Sequence, residues 1–189
     1  MRVLLLLMLI PALAAADYVD PYGLPSGSAS LALATQEDIG GGFSVEAFDF
    51  ATAEVLSDAY IDHVSRGIGD LIFFELEFGS ADSYLRAPEG TDGFDRSLIG
   101  HLGPLDLGEI QHMVDVELSV TALAVEGDAY VLLQIQAEAL PETTAVKFRL
   151  SNLSADQIQF DWAWQPNSSR YFEPSPAESM DFGELKRIW

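Results

Sequence analysis

The sequence predicts an all-β protein, an antiparallel β-sandwich of the immunoglobulin-like class. Three observations carry that prediction. Apolar residues recur at every second position in several short segments, the period that sets them on one face of a strand. Gly, Pro, Asn and Asp clusters separate these segments at short intervals, as in sandwiches of about eight short strands. Helical spacing is confined to Ala51–Gly67 and the C-terminal tail.

The strongest stretch is Thr143–Gln165. Val146, Phe148 and Leu150 alternate with Lys147 and Arg149, and Ile158, Phe160, Trp162 and Trp164 alternate with Gln159, Asp161 and Ala163. Ser151–Gln157 joins the two runs with Asn, Ser and Asp, whose side chains bond to their own backbone in turns. The predicted hairpin offers seven large apolar side chains, two of them Trp, to one buried layer.

Taken in order, residues 1–16 (MRVLLLLMLIPALAAA) read as an export signal. Arg2 supplies the charge, Val3–Ile10 is too short an apolar run to anchor in a bilayer, and Ala14-Ala15-Ala16 suits cleavage before Asp17. Export implies a periplasmic or extracellular location. The chain has no Cys, which favours a bacterial envelope over a disulfide-stapled eukaryotic secreted domain. No later run is long and apolar enough to predict a membrane span. Residues 17–28 read as a flexible Pro/Gly/Ser-rich lead-in, and 29–189 as a single β-sandwich domain.

Within that domain Ser30–Thr35 reads as a short strand, Gln36–Gly42 as a hairpin loop and Phe43–Phe50 as a strand. Ala51–Gly67 fits helical spacing or a hairpin through Ala51–Ala53 followed by a strand over Glu54–Val64. The strand neighbours favour the second. Asp70–Phe78 alternates, with Ile72, Phe74, Leu76 and Phe78 on one face. Ser80–Gly108 reads as a long connection holding one strand, Ser97–Leu102. Ile110–Val125 and Ala129–Leu140 read as a hairpin turned by Glu126-Gly127-Asp128. Ser175-Pro176-Ala177-Glu178 fits a capping box, so a short C-terminal helix is expected.

Acidic residues outnumber basic ones 30 to 9, for a net charge of −21. That field repels nucleic acid and anionic lipid and excludes both as partners. The acids are scattered rather than blocked, which reads first as solubility and second as capture of cations or of a basic partner.

Candidate chemistry is sparse. Glu89, Asp92 and Asp95 lie in a Gly-containing loop, Ala87–Asp95, and form a candidate calcium site, since calcium takes oxygen ligands from such loops. Calcium is the one candidate cofactor, and a solvated acidic loop is the plainer reading. His63, His101 and His112 fall in separate elements without the short spacing of zinc or copper ligands, so they read as unrelated. Phe160 and Trp162 read as core. Trp164, Tyr171 and Phe172, near the strand end and tail, form a candidate partly exposed aromatic binding patch. No Gly-x-Ser-x-Gly, phosphate loop or His-Glu-x-x-His occurs, and Glu75 with Glu77 reads as a solvent-facing pair.

The expectation is a non-enzymatic exported domain that binds a protein or glycan of the cell envelope. A calcium-stabilised carbohydrate-binding module or glycoside hydrolase is the alternative. A small outer-membrane β-barrel is the second alternative, permitted by length and alternation but opposed by the non-alternating end Phe182–Trp189.

Overall fold

A computed structural model describes residues 17–75, 82–88, 96–112, 116–135, 143–166 and 172. The expected export signal, the Glu89/Asp92/Asp95 set and the expected C-terminal helix lie outside these residues.

The described chain is a sandwich of two antiparallel sheets. Its strands are β1 (Ser26–Ala32), β2 (Ser44–Asp49), β3 (Glu54–Ala59), β4 (Leu71–Glu75), β5 (Ser83–Arg86), β6 (Arg96–Gly103), β7 (Thr121–Leu123), β8 (Ala129–Ile135), β9 (Thr143–Leu153) and β10 (Gln157–Gln165). The first sheet has the order β1-β10-β9-β8-β6 and the second β3-β2-β4-β5-β7. This is not the four-plus-three arrangement of a constant-type immunoglobulin domain, so the sandwich expectation holds at the level of architecture.

The central hairpin forms as the alternation predicts. Trp162 pairs with Phe148 and Phe160 with Leu150, and a register shift between Gln159 and Phe160, which leaves Ser151 without a partner position in β10, sets Leu153 opposite Ile158. That face meets Phe48 and Phe50 of the second sheet. Phe48 contacts Phe160 edge-on at 5.3 Å, and Phe50 contacts Trp162 at 5.8 Å. Such edge contacts suit the ring quadrupoles, and this layer is the main core.

Both outer faces are also covered. On the second sheet Ala47, Ile72 and Phe74 lie beneath α1 (Gln36–Gly41) and α2 (Tyr60–Arg66). The helix α1 replaces the loop expected from the glycines. Thr35 and Asp38 form a capping box that starts it, and Gly42, at φ 71°, ends it. The expected strand Glu54–Val64 stops at Ala59, because Tyr60 onwards turns over Phe74, ring centroids 6.4 Å apart. The helix ends at Gly67, φ 64°, the last residue of the stretch that fits helical spacing.

On the first sheet's outer face, Leu107, Ile110 and Phe172 cover Ala129, Val131 and Ala145. Residues 17–28 join this layer rather than trailing as a loose lead-in. Asp20 accepts the Tyr22 N–H at 2.9 Å and pairs with Lys147 at 2.9 Å, while β1 already begins at Ser26.

The hairpin expected between Ile110–Val125 and Ala129–Leu140 does not form. β7 pairs with β5 in the second sheet, whereas β8 pairs with β6 and β9 in the first. Glu126-Gly127-Asp128 is therefore a crossover between layers. No helix of the described residues is long and apolar enough to cross a membrane.

Candidate functional site

The crossover creates a groove. Before it, Ser119 runs beside the edge strand β6, exchanging backbone hydrogen bonds with Ile99 at 2.7 and 2.8 Å. The chain then leaves for the second sheet as β7. Between β6 and this departing segment lies a groove of about 510 Å³. Ile99, Leu102, Val116, Ala122 and Leu123 give it apolar walls, and His101, Glu117, Ser119 and Thr121 supply polar groups. Apolar walls with a few placed polar groups are the usual composition of a binding site.

His101 is held on two sides. Its Nε2 lies 2.7 Å from Asp128 Oδ2. A carboxylate only accepts, so Nε2 carries a hydrogen and the Asp128 carboxylate fixes the orientation of the ring. The imidazole stacks on Tyr130 at 4.9 Å and 20°, and Tyr130 stacks on Phe148 at 5.2 Å and 15°. The Tyr130 hydroxyl donates to Leu123 O at 2.8 Å and accepts the Val125 N–H at 2.9 Å. Burial pushes the Tyr130 pKa up to about 12, Asp128 adds to this and the Val125 N–H opposes it. The phenol thus stays neutral and pins both the crossover and the imidazole.

A second polar cluster bridges the sheets inside the sandwich. Gln134 Oε1 accepts from Trp164 Nε1 at 3.0 Å and from the Thr144 hydroxyl. Asp70, at the entry to β4, accepts the Phe50 N–H at 3.0 Å and the Ser97 hydroxyl at 3.4 Å, and it bonds to the Gln134 side chain. Burial raises its pKa to about 6 against the lowering effect of these bonds. The members come from both sheets, so the cluster acts as a latch between layers.

The sequence-derived candidates separate. Glu89, Asp92, Asp95 and Tyr171 lie outside the described residues. Trp164 is half-buried, packed on the main core and bonded to Gln134. Phe172 is wholly buried rather than partly exposed. Its N–H donates to Gln111 O at 2.8 Å, and its ring lies 5.3 Å from Lys147 Nζ. An apolar ring seated against the outer face of the first sheet cannot belong to a surface patch, so the expectation is corrected there. His63 is buried and bonds Ile68 O through Nδ1 at 2.7 Å. Among the described residues no group of three or more His, Cys, Asp and Glu could hold a metal ion.

The residues that matter most at the groove, His101 with Asp128, were not paired by the sequence. They lie 27 positions apart, and only the register of β6 on β8 brings them together. Compared with known protein families, curated protein sequences and solved structures, the chain matches none.

Proposed function

We propose that this chain is an exported, non-enzymatic β-sandwich domain that binds a protein or cell-envelope partner in the groove beside β6. The groove carries the reading. Its walls combine apolar side chains with polar groups, its volume of about 510 Å³ falls in the range of binding clefts, and its imidazole is held before any ligand arrives. Preorganisation of this kind lowers the entropic cost of binding. The apolar layer lies between the sheets, the reverse of the lipid-facing band of an outer-membrane barrel.

The test is a ligand panel read by NMR on the mature chain. Envelope glycans, peptidoglycan fragments and extended peptides would be added in turn. The Val116 and Leu123 methyl signals and the His101 imidazole should move together with one class and follow a saturating curve. Binding that moves only signals remote from β6, or a panel that leaves all three groove signals still, overturns this assignment.

A further inference from the structure

We propose that the groove takes a cationic side chain on an aliphatic stem, a lysyl or arginyl residue of an extended segment of a partner protein. This rests on the groove being the binding site.

Charge complementarity is the first argument. With 30 acidic residues against 9 basic, the field of the chain draws cations and repels anions. The groove carries the same sign. Glu117 lines it, and Asp128 stands behind His101. Arg149 lies beside the Asp128 turn. It is engaged by Asp106 at 3.4 Å and by Gly127 O at 3.0 Å, so its charge is answered within the protein.

The second argument is the polarity of the hydrogen bonds on offer. The His101 Nε2–H is already donated to Asp128, so that donor is not on offer to a ligand. Glu117 only accepts, and the hydroxyls of Ser119 and Thr121 can accept. A ligand group rich in donors and carrying positive charge fits this set, whereas a carboxylate or phosphate does not. The third argument is the walls. Leu102, Val116 and Leu123 suit the methylenes of a lysyl or arginyl stem, which bury readily while the head stays polar.

The experiment uses the mature chain and three nine-residue peptides of alternating Lys and Ser, differing only at the Lys positions. One carries Lys, one acetyl-lysine and one Glu. The Lys peptide should shift the Val116, Leu123 and His101 signals, and acetylation should weaken binding at least tenfold. E117Q should weaken it several-fold with an unchanged melting temperature. E37Q removes the same charge from exposed α1 on the other sheet and should leave affinity as it was. If E37Q weakens binding as much as E117Q, the effect is bulk charge and the proposal falls. If the acetylated peptide binds the groove equally well, the cation assignment falls while the groove stands as a binding site. If no peptide binds the groove, the cation assignment falls. If the Lys peptide shifts only signals elsewhere, both fall.

Discussion

Lys147 Nζ lies 2.9 Å from Asp20 Oδ1, and both side chains are completely buried on the outer face of the first sheet. The ammonium also faces the Tyr22 and Phe172 rings at 5.2 and 5.3 Å and Ile110 O at 3.4 Å. Asp20 is better supported: the Tyr22 N–H and the Tyr18 hydroxyl donate to it at 2.9 and 3.3 Å. Burial, reinforced by the Asp20 charge, holds the Tyr18 phenol well above its usual range, so it stays a donor.

Removing either partner of this pair should therefore have unequal effects. Asp20→Asn removes the charge opposite a buried ammonium and sets an amide NH2 against either Lys147 Nζ or the Tyr22 N–H, and should cost about 3–5 kcal/mol, the usual penalty for an uncompensated buried charge. Lys147→Met keeps most of the volume and leaves a carboxylate that retains its donors, and should cost less. Urea unfolding of the two variants measures the difference. Equal losses would mean that the N–H and O–H donors do not support Asp20 in the absence of Lys147.

The inter-sheet latch should make stability depend on pH. Asp70 titrates near 6 in the folded protein, above its ordinary value of 3.8, so the folded chain holds that proton more tightly than the unfolded one. Its stabilising contribution is fully present below about pH 4 and is lost as pH rises through about 6, on the order of 3 kcal/mol in all. Asp70→Asn keeps an oxygen for the Phe50 N–H and cannot ionise. The stability difference between wild type and variant should shift in favour of the variant between pH 4 and 7. A difference that stays constant with pH would show that the carboxyl is not held in a buried environment.

How much of this was legible depends on which layer a residue belongs to. The inward face of the central hairpin, Val146 to Leu150 and Ile158 to Trp164, could be read because both strands share one sheet and one period. The opposite face could not. Alternation sets Lys147 outward, and outward normally means solvent. Here it means a second layer made of irregular segments around Asp20, Leu107 and Phe172, which have no period to read. The capping box Thr35–Asp38 was present in the sequence but was outweighed by the glycines that follow it. The groove was hidden for a different reason. Two alternating runs around Glu126-Gly127-Asp128 look the same whether they pair with each other or separate into two sheets, and only separation opens the space beside His101.

Trp162 and Trp164 share a face but differ in their surroundings. Trp162 is 5% exposed between Phe48 and Phe50, and its Nε1 has no hydrogen-bond partner among the described residues. Trp162→Ala should cost about 3–5 kcal/mol, as aromatic truncations in packed cores do. Trp162→Phe should cost much less, since it removes volume and an unpaired donor but no hydrogen bond. Trp164→Phe gives up the bond to Gln134, worth about 0.5–1.5 kcal/mol. Chemical denaturation of the three variants tests the ranking. A Trp162→Phe cost matching that of Trp162→Ala would mean that the indole proton has a partner.

The groove depends on the crossing segment lying flat against β6, and Gly100 is what permits it. A Cβ at Gly100 would overlap Val116 Cγ1 and press on Leu118 Cδ2 and Val131 Cγ2 at 3.2 Å. A side chain there therefore either strains the core or lifts residues 116–118 away from the strand. Gly100→Ala should cost about 1–3 kcal/mol, the range for an added methyl in a packed site. It should also move the groove signals of Val116 and Leu123. Shortening the opposing side chain should reverse much of this: the double variant Gly100→Ala with Val116→Ala should be more stable than the sum of the two single changes, because residues in contact couple. Urea midpoints of the four proteins close the cycle. Strict additivity would show that Val116 does not rest on Gly100.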